Sequence, residues 1–237
     1  MPSMAPYHIR KYQERDDECV RDLYSKGMAE HVPTAFCHIL KLPRTLVLLL
    51  GAPVTVLLLT GSWLLPLLVT LTVLTALLFV AKYPWMNLVA VAFNTDMSDI
   101  TKNYFSERGS CFWVAESEGQ VVGMVGALPM KDPALREKTL ELLHLCVSSQ
   151  HRGQGIAKAL IRTVLQFGQD QGYSAVVLDT SVLQQSALGL YQSMGFQKKG
   201  RFFFSFSMRL AAIDSVLFQY RIPSVQDSKL LRQRKDL

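Results

Sequence analysis

LELLHLCVSSQHRGQGIAKAL, residues 140–160, is the stretch on which the reading of the chain turns. An apolar run of β character from Leu140 to Val147 leads into a polar loop with two closely spaced glycines, Gly153 and Gly155. Beyond them Ile156, Leu160, Ile161, Val164 and Leu165 recur at helical spacing, so the stretch predicts a strand, a loop and a helix N-terminus. A helix entered from a glycine loop presents unpaired backbone N–H groups and the positive end of its dipole, which suits a phosphate or pyrophosphate. Neither Gly-Lys-Ser/Thr nor G-x-G-x-x-G follows the strand, so the two common phosphate-loop patterns do not apply.

Working outward, Ala175 to Asp179 (AVVLD) reads as a buried strand, and residues 186–194 as a helix closed by Gly195. Residues 202–210 read as a final long strand, and 216–222 as an edge strand or a segment on the membrane. Upstream, 111–116 and 120–128 form a hairpin around Ser117-Glu118-Gly119, and 129–138 is a loop. Residues 85–105 are predicted helical, with a cap near Thr95-Asp96 or Ser98. At the start, 7–12 alternates as a strand, and 16–28 carries Val20, Leu23, Tyr24 and Met28 at helical spacing. The fold class is therefore α/β, a mixed sheet of α+β type.

Between these parts, Thr45 to Ala81 contains no charged residue. One span needs about 20 apolar residues, and this run is long enough for two short ones. Each half, at ~1.5 Å per residue, reaches ~27 Å, close to a thin endoplasmic-reticulum bilayer. Gly61-Ser62 would form the turn, and Pro53 and Pro66 would kink the helices. If 1–44 supplies the first strand and helix of a fold that 82–223 completes, both ends of 45–81 lie on one side of the membrane. A helical hairpin satisfies that; a single pass does not. Lys41, Arg44 and Lys82 flank the run and place both ends in the cytosol, with a single-pass, luminal domain as the alternative.

Hydrophobic residues are 49% of the 237, and the formal net charge is +6. No Lys/Arg run is interleaved with aromatics, so a nucleic-acid partner is not expected; cofactor phosphates and an anionic bilayer account for the basic excess. Cys19, Cys37, Cys111 and Cys146 lack the spacing of a zinc site or disulfide framework, and no metal is expected. No secretory signal precedes the first charges, so the apolar run is expected to act as its own targeting element. The basic tail, 224–237, reads as disordered.

The pattern Arg152-x-x-Gly155-x-Ala157, after a strand ending at Val147, resembles the pyrophosphate-binding signature of the GCN5-related N-acetyltransferase superfamily. The resemblance implies that backbone N–H groups of Arg152, Gly153, Gln154, Gly155, Ile156, Ala157 and Lys158 hold the diphosphate of acetyl-coenzyme A. It also implies that Leu145, Cys146 and Val147 run beside pantetheine, where the central strand splits from its neighbour. Ala187 to Phe196 resembles the family's A-x-x-L-Y-x-x-x-G-F, which makes Tyr191 the expected general acid toward the coenzyme sulfur. The family often carries Asn three residues before that alanine; this chain has Gln184. For the general base, Glu141 resembles in position the glutamate of the histone-acetylating members. His144 is the alternative, expected on the opposite face of the strand.

The split domain, with TDMSDITKNYFSERGSCFWVAES, VVGMVGALP and LYQSMGF, is similar to the N-acetyltransferase 8 or camello-like group. That resemblance implies an endoplasmic-reticulum membrane enzyme acting on the α-amino group of cysteine S-conjugates, on protein lysines, or on both. A non-catalytic membrane adaptor is the reading from another class; an intact loop together with Tyr191 argues against it.

Overall fold

The computed structural model describes residues 7–106 and 108–223; the expected disordered tail lies outside them. The elements in order are β1 (His8–Lys11), α1 (Asp17–Ala29), α2 (Val32–Leu40), α3 (Pro43–Thr60), α4 (Leu64–Asn94), α5 (Ile100–Phe105), β2 (Cys111–Ser117), β3 (Gln120–Pro129) and β4 (Thr139–Val147). They continue with α6 (Ile156–Asp170), β5 (Ala175–Ser181), α7 (Gln185–Ser193), β6 (Gln197–Phe202), α8 (Phe206–Leu210) and β7 (Ser215–Arg221). The strands form one sheet in the order β1-β2-β3-β4-β5-β7-β6. All neighbours are antiparallel except β4 and β5.

Both faces of the sheet are covered, which explains why β2 reads as a continuous apolar run. Cys111, Trp113 and Ala115 pack with α6 and α7 on one face, and Phe112 and Val114 with α1, α4 and α5 on the other. The β2–β3 turn is Glu118-Gly119, both at positive φ (51° and 78°), between the paired Ser117 and Gln120. Two such residues match the right-handed twist of the strands they join.

The segment before the apolar run belongs to the same sheet as the segment after it. β1 pairs with β2, and Arg10 donates to Asp16 (2.6 Å) and Glu116 (2.7 Å), tying β1 to the start of α1 and to β2. α1 in turn presses on β4: a Cβ at Gly27 would lie 2.4 Å from the Cys146 sulfur. The two ends of the helical pair therefore sit on one side of it.

That pair, α3 and α4, packs together through a turn at Gly61, whose φ of 64° ends α3. Both helices are long and apolar enough to cross a membrane, and only 6% and 11% of their most apolar windows are buried. Leu58 and Leu59 are each 81% exposed. The most apolar parts of the pair therefore do not lie in the core of the described fold.

Four expectations need correction. Residues 85–105 are not one helix: α4 runs unbroken through Pro84 and Trp85 to Asn94, and α5 has its own cap, Asp99, which accepts from Lys102 N at 2.8 Å. Pro66 does not kink α4, because it stands in the first turn, where no N–H is needed. Residues 202–210 are not a strand. β6 ends at Phe202, and the Ser205 hydroxyl accepts from Met208 N (3.2 Å) to start α8. Residues 216–221 fall in β7, which lies between β5 and β6 and not at an edge of the sheet, and Ile222 follows its end. The spacing also gave no sign of α2.

Candidate active site

The site is built where two regular features of β4 fail. β4 pairs with β5 only from Thr139 to Glu141, opposite Ala175 to Val177, although β4 continues to Val147 and β5 to Ser181. Past Glu141 the parallel strands part. On its other side, β4 pairs with β3 at Leu143 and again at Cys146, and the interval holds two β4 residues against one of β3. The extra residue is accommodated by His144 at φ 54°, a β-bulge of the kind that re-aims a side chain. Three residues apart on a regular strand, Glu141 and His144 would face opposite ways. The bulge corrects that expectation: both line one cavity of about 820 Å3.

At the C-terminal end of β4 the chain makes a short turn, Ser149–His151, and passes through Arg152 and Gly153 to Gly155, the N-cap of α6. Gly153 and Gly155 adopt φ of 80° and 83°, a region that L side chains enter only at a cost of roughly 1–2 kcal/mol. A Cβ at Gly153 would meet nothing within 4 Å, so backbone conformation and not crowding explains the glycine. No side chain caps α6, so the first N–H groups of the helix remain for a ligand. Arg152, Gly153, Gly155, Ile156, Ala157 and Lys158 line the cavity here. Arg152 is already engaged: its guanidinium donates to Val147 O (3.2 Å) and pairs with Glu30 (2.5 Å), bracing the loop against α1.

Further along, the cavity is acidic. Asp96, Glu141 and Asp179 line it. Burial raises the Glu141 carboxyl, and the charge of Asp179 raises it further, against Lys131. Burial likewise raises Asp179. Glu141 has no hydrogen-bond partner among the described residues. Asp96 behaves differently: burial pushes its carboxyl up, but the bond and charge of His144, with a bond from Tyr104, outweigh this, and it falls to about 2. His144 Nε2 stands 2.6 Å from Asp96 Oδ2, and the Tyr104 hydroxyl donates to the same oxygen. Because a carboxylate only accepts, the proton sits on Nε2. Tyr24 meets the His144 ring edge-on at 5.0 Å.

Tyr191 enters from α7, with its ring against Phe196 and Phe218 and only 5% exposed. Its hydroxyl has no hydrogen-bond partner among the described residues, and burial, then Asp179, push its pKa up, so the phenol keeps its proton. Gln184 lines the cavity but its amide is occupied. Its oxygen accepts from Thr180 Oγ1 (2.8 Å) and Ser181 N (3.1 Å), and its nitrogen lies 2.8 Å from His31 Nε2. Burial lowers the His31 pKa, so the ring is neutral and accepts that bond. Trp85 Nε1 and His151 Nδ1, both on cavity residues, are buried without a hydrogen-bond partner among the described residues. Of the expected residues, Gln154 alone does not line the cavity; Leu145, Cys146 and Val147 do, with Cys146 buried and its thiol at Leu23 O (3.5 Å).

The sequence reading missed Asp96, Asp179, Trp85 and His31. Asp179 was visible as the charge closing AVVLD; the others are brought in by packing alone.

A mixed sheet whose central parallel strands part over a glycine-capped helix defines an acetyltransferase fold. The pattern of the Acetyltransferase (GNAT) family matches residues 77–196, and the chain belongs to that family. Within it, the chain is a member of the N-acetyltransferase 8 group. It is 62% identical to N-acetyltransferase 8B of Homo sapiens over 96% of this chain and all of that protein. It is 62% identical to human N-acetyltransferase 8 over 93% of this chain and 97% of that protein. Among solved structures, an acetyltransferase of the GNAT family from Staphylococcus aureus Mu50 superposes with a TM-score of 0.57 at 16% identity, covering 91% of this chain and 99% of that one. The protein is accordingly an enzyme that transfers acetyl from acetyl-coenzyme A to an amine.

Proposed function

We propose that the protein is a membrane-bound N-acetyltransferase whose acceptor is the α-amino group of a small amphipathic amine, the class to which cysteine S-conjugates belong. The observation that carries this reading is the parting of β4 from β5. It opens one cavity that has helix N–H groups at one end and carboxylates at the other, so an anionic diphosphate and a cationic amine are drawn to opposite parts of it. The apolar walls, Trp85 and Leu88 of α4 with Leu128 and Met130 of β3 and its loop, suit a thioether substituent.

In this reading the backbone from Arg152 to Lys158 holds the diphosphate, Arg152 and Lys158 add charge, and Leu145 to Val147 align the pantetheine arm. Acetyl-coenzyme A supplies an activated thioester. Glu141, unpartnered and with a raised pKa, takes the proton of the acceptor amine. His144, fixed by Asp96, forms the wall beside it. Tyr191 donates a hydrogen bond to the departing sulfur; with its pKa above that of a thiol, it stabilises the thiolate and does not need to surrender its proton.

The uncovered α3–α4 pair supports a bilayer setting, with the catalytic domain and both ends of the hairpin on the cytosolic side of the endoplasmic reticulum. A protein lysine acceptor is the second reading, favoured by the acidic lining, which would receive a lysine ammonium as readily as an α-ammonium. Purified protein in vesicles, given labelled acetyl-coenzyme A and either S-benzylcysteine or a lysine peptide, tests the choice. Transfer to the peptide alone would overturn the first reading. Protease protection of intact microsomes, read at both termini, tests the cytosolic placement.

A further inference from the structure

At the foot of the hairpin the protein surface is apolar where nothing in the fold covers it. Phe202, Phe203 and Phe204 leave the end of β6 40%, 45% and 48% exposed, and Phe206, the first residue of α8, is 80% exposed. Within the catalytic fold, by contrast, Phe112, Phe196 and Phe218 are 3% exposed or less, and the other strongly exposed phenylalanine among the described residues, Phe79, stands on the apolar part of α4. Four open phenylalanines within five positions make a contiguous patch, and such a patch marks an interaction surface.

Its position identifies the partner. α8 is fastened to the base of α3 and to α2: the Arg44 guanidinium donates to the Leu210 carbonyl, and His38 Nε2 lies 2.9 Å from Ala212 O. Met208 of α8 is buried in one cluster with Ala81 and Trp85 of α4. Arg44 and Lys82 are the first charges outside the apolar run, so the phenylalanines stand at the level where the hairpin leaves the apolar layer. Lys198, Lys199 and Arg201, all exposed on β6, and the exposed Arg209 on α8 accompany them. Aromatic side chains flanked by cations are the composition of a segment lying in the interface of an anionic bilayer.

We propose that the β6–α8 corner, led by Phe203, Phe204 and Phe206, inserts into the same leaflet as the foot of the hairpin and forms a second, non-spanning lipid contact. Phe204 is also a wall of the cavity. The corner is therefore the lip over which an acceptor with an apolar substituent passes from lipid into the site. The proposal rests on the membrane reading of α3 and α4 given above.

The test is photo-crosslinking of the full chain in vesicles of phosphatidylcholine and phosphatidylserine. p-Benzoylphenylalanine replaces Phe206 in one variant and Phe203 in another, with Leu58 in the hairpin and the exposed Gln166 of α6 as reference sites. Covalent lipid adducts are counted by mass. We expect adducts at Phe206 and Phe203 at least ~5-fold above those at Gln166. Adducts at both corner sites no higher than at Gln166 overturn the proposal. If Leu58 still forms adducts in that case, the hairpin reading stands alone; if Leu58 forms none, the hairpin reading falls with it. The two corner variants guard against one of them failing to fold.

Discussion

His144 Nε2 lies 2.6 Å from Asp96 Oδ2, across 48 residues of sequence. The contact joins the loop after the long apolar helix to the bulge in the central strand, and it holds a histidine at a φ of 54°, where non-glycine residues rarely sit. Its pH dependence follows from the Asp96 carboxyl, which is lower in the folded protein than in the unfolded chain. The stabilisation is complete above the ordinary aspartate value of about 3.9 and is lost as pH falls through about 2. Between those values, denaturant midpoints should fall more steeply for the wild type than for Asp96→Asn. Parallel slopes would show that the pair does not stabilise the fold. Turnover of Asp96→Asn should drop by about 10-fold or less, because proton removal is assigned to another residue. A loss near ~1000-fold would move the base role to His144.

For Glu141, Gln is close in shape but cannot take a proton. Glu141→Gln should lower kcat by ~100-fold or more, with the KM for acetyl-coenzyme A little changed. In the wild type the acidic limb of kcat/KM should lie above the ordinary glutamate range, because burial and Asp179 raise the carboxyl. Removing the neighbouring charge with Asp179→Asn lowers that carboxyl, so activity should persist to lower pH. A limb that stays in place would separate Glu141 from the rate-controlling ionisation.

Tyr191→Phe deletes the hydroxyl of a cavity-lining residue that has no hydrogen-bond partner among the described residues. Turnover should fall by ~100-fold while coenzyme affinity holds. Thermal stability should change little, since no hydrogen bond within the described residues is lost. A drop in stability without a drop in kcat would make Tyr191 a packing residue only.

Gly155 is constrained by its φ of 83° and by its place at the start of α6. Gly155→Glu introduces both backbone strain and a negative charge where the diphosphate is placed. Isothermal titration should detect no acetyl-coenzyme A binding, whereas Gly155→Ala should weaken it by a smaller factor. Equal affinity in the charged variant would remove the diphosphate from this loop.

The strand-loop-helix around Gly153 was readable because three local signals agree there: an apolar run, two glycines and a helical period. The β2–β3 hairpin and the turn at Gly61 were readable for the same reason. What escaped the sequence was set by distant contacts. Nothing near His144 announces a bulge, which arises from pairing with β3 on one side and parting from β5 on the other. The phenylalanines from 202 to 206 have the propensity of a strand, but the Ser205 hydroxyl caps α8 and Met208 is buried against α4, so the chain leaves the sheet there. Asp96 reads locally as a helix cap; its partnership with His144 exists only once α4 has delivered it to β4.

α4 has 31 residues, which at ~1.5 Å each span ~46 Å, well beyond the ~30 Å apolar thickness of a bilayer. The surplus is spent inside the catalytic domain, and it stops two residues short of Asp96. One continuous helix thus joins the uncovered apolar hairpin to the loop whose carboxylate anchors His144.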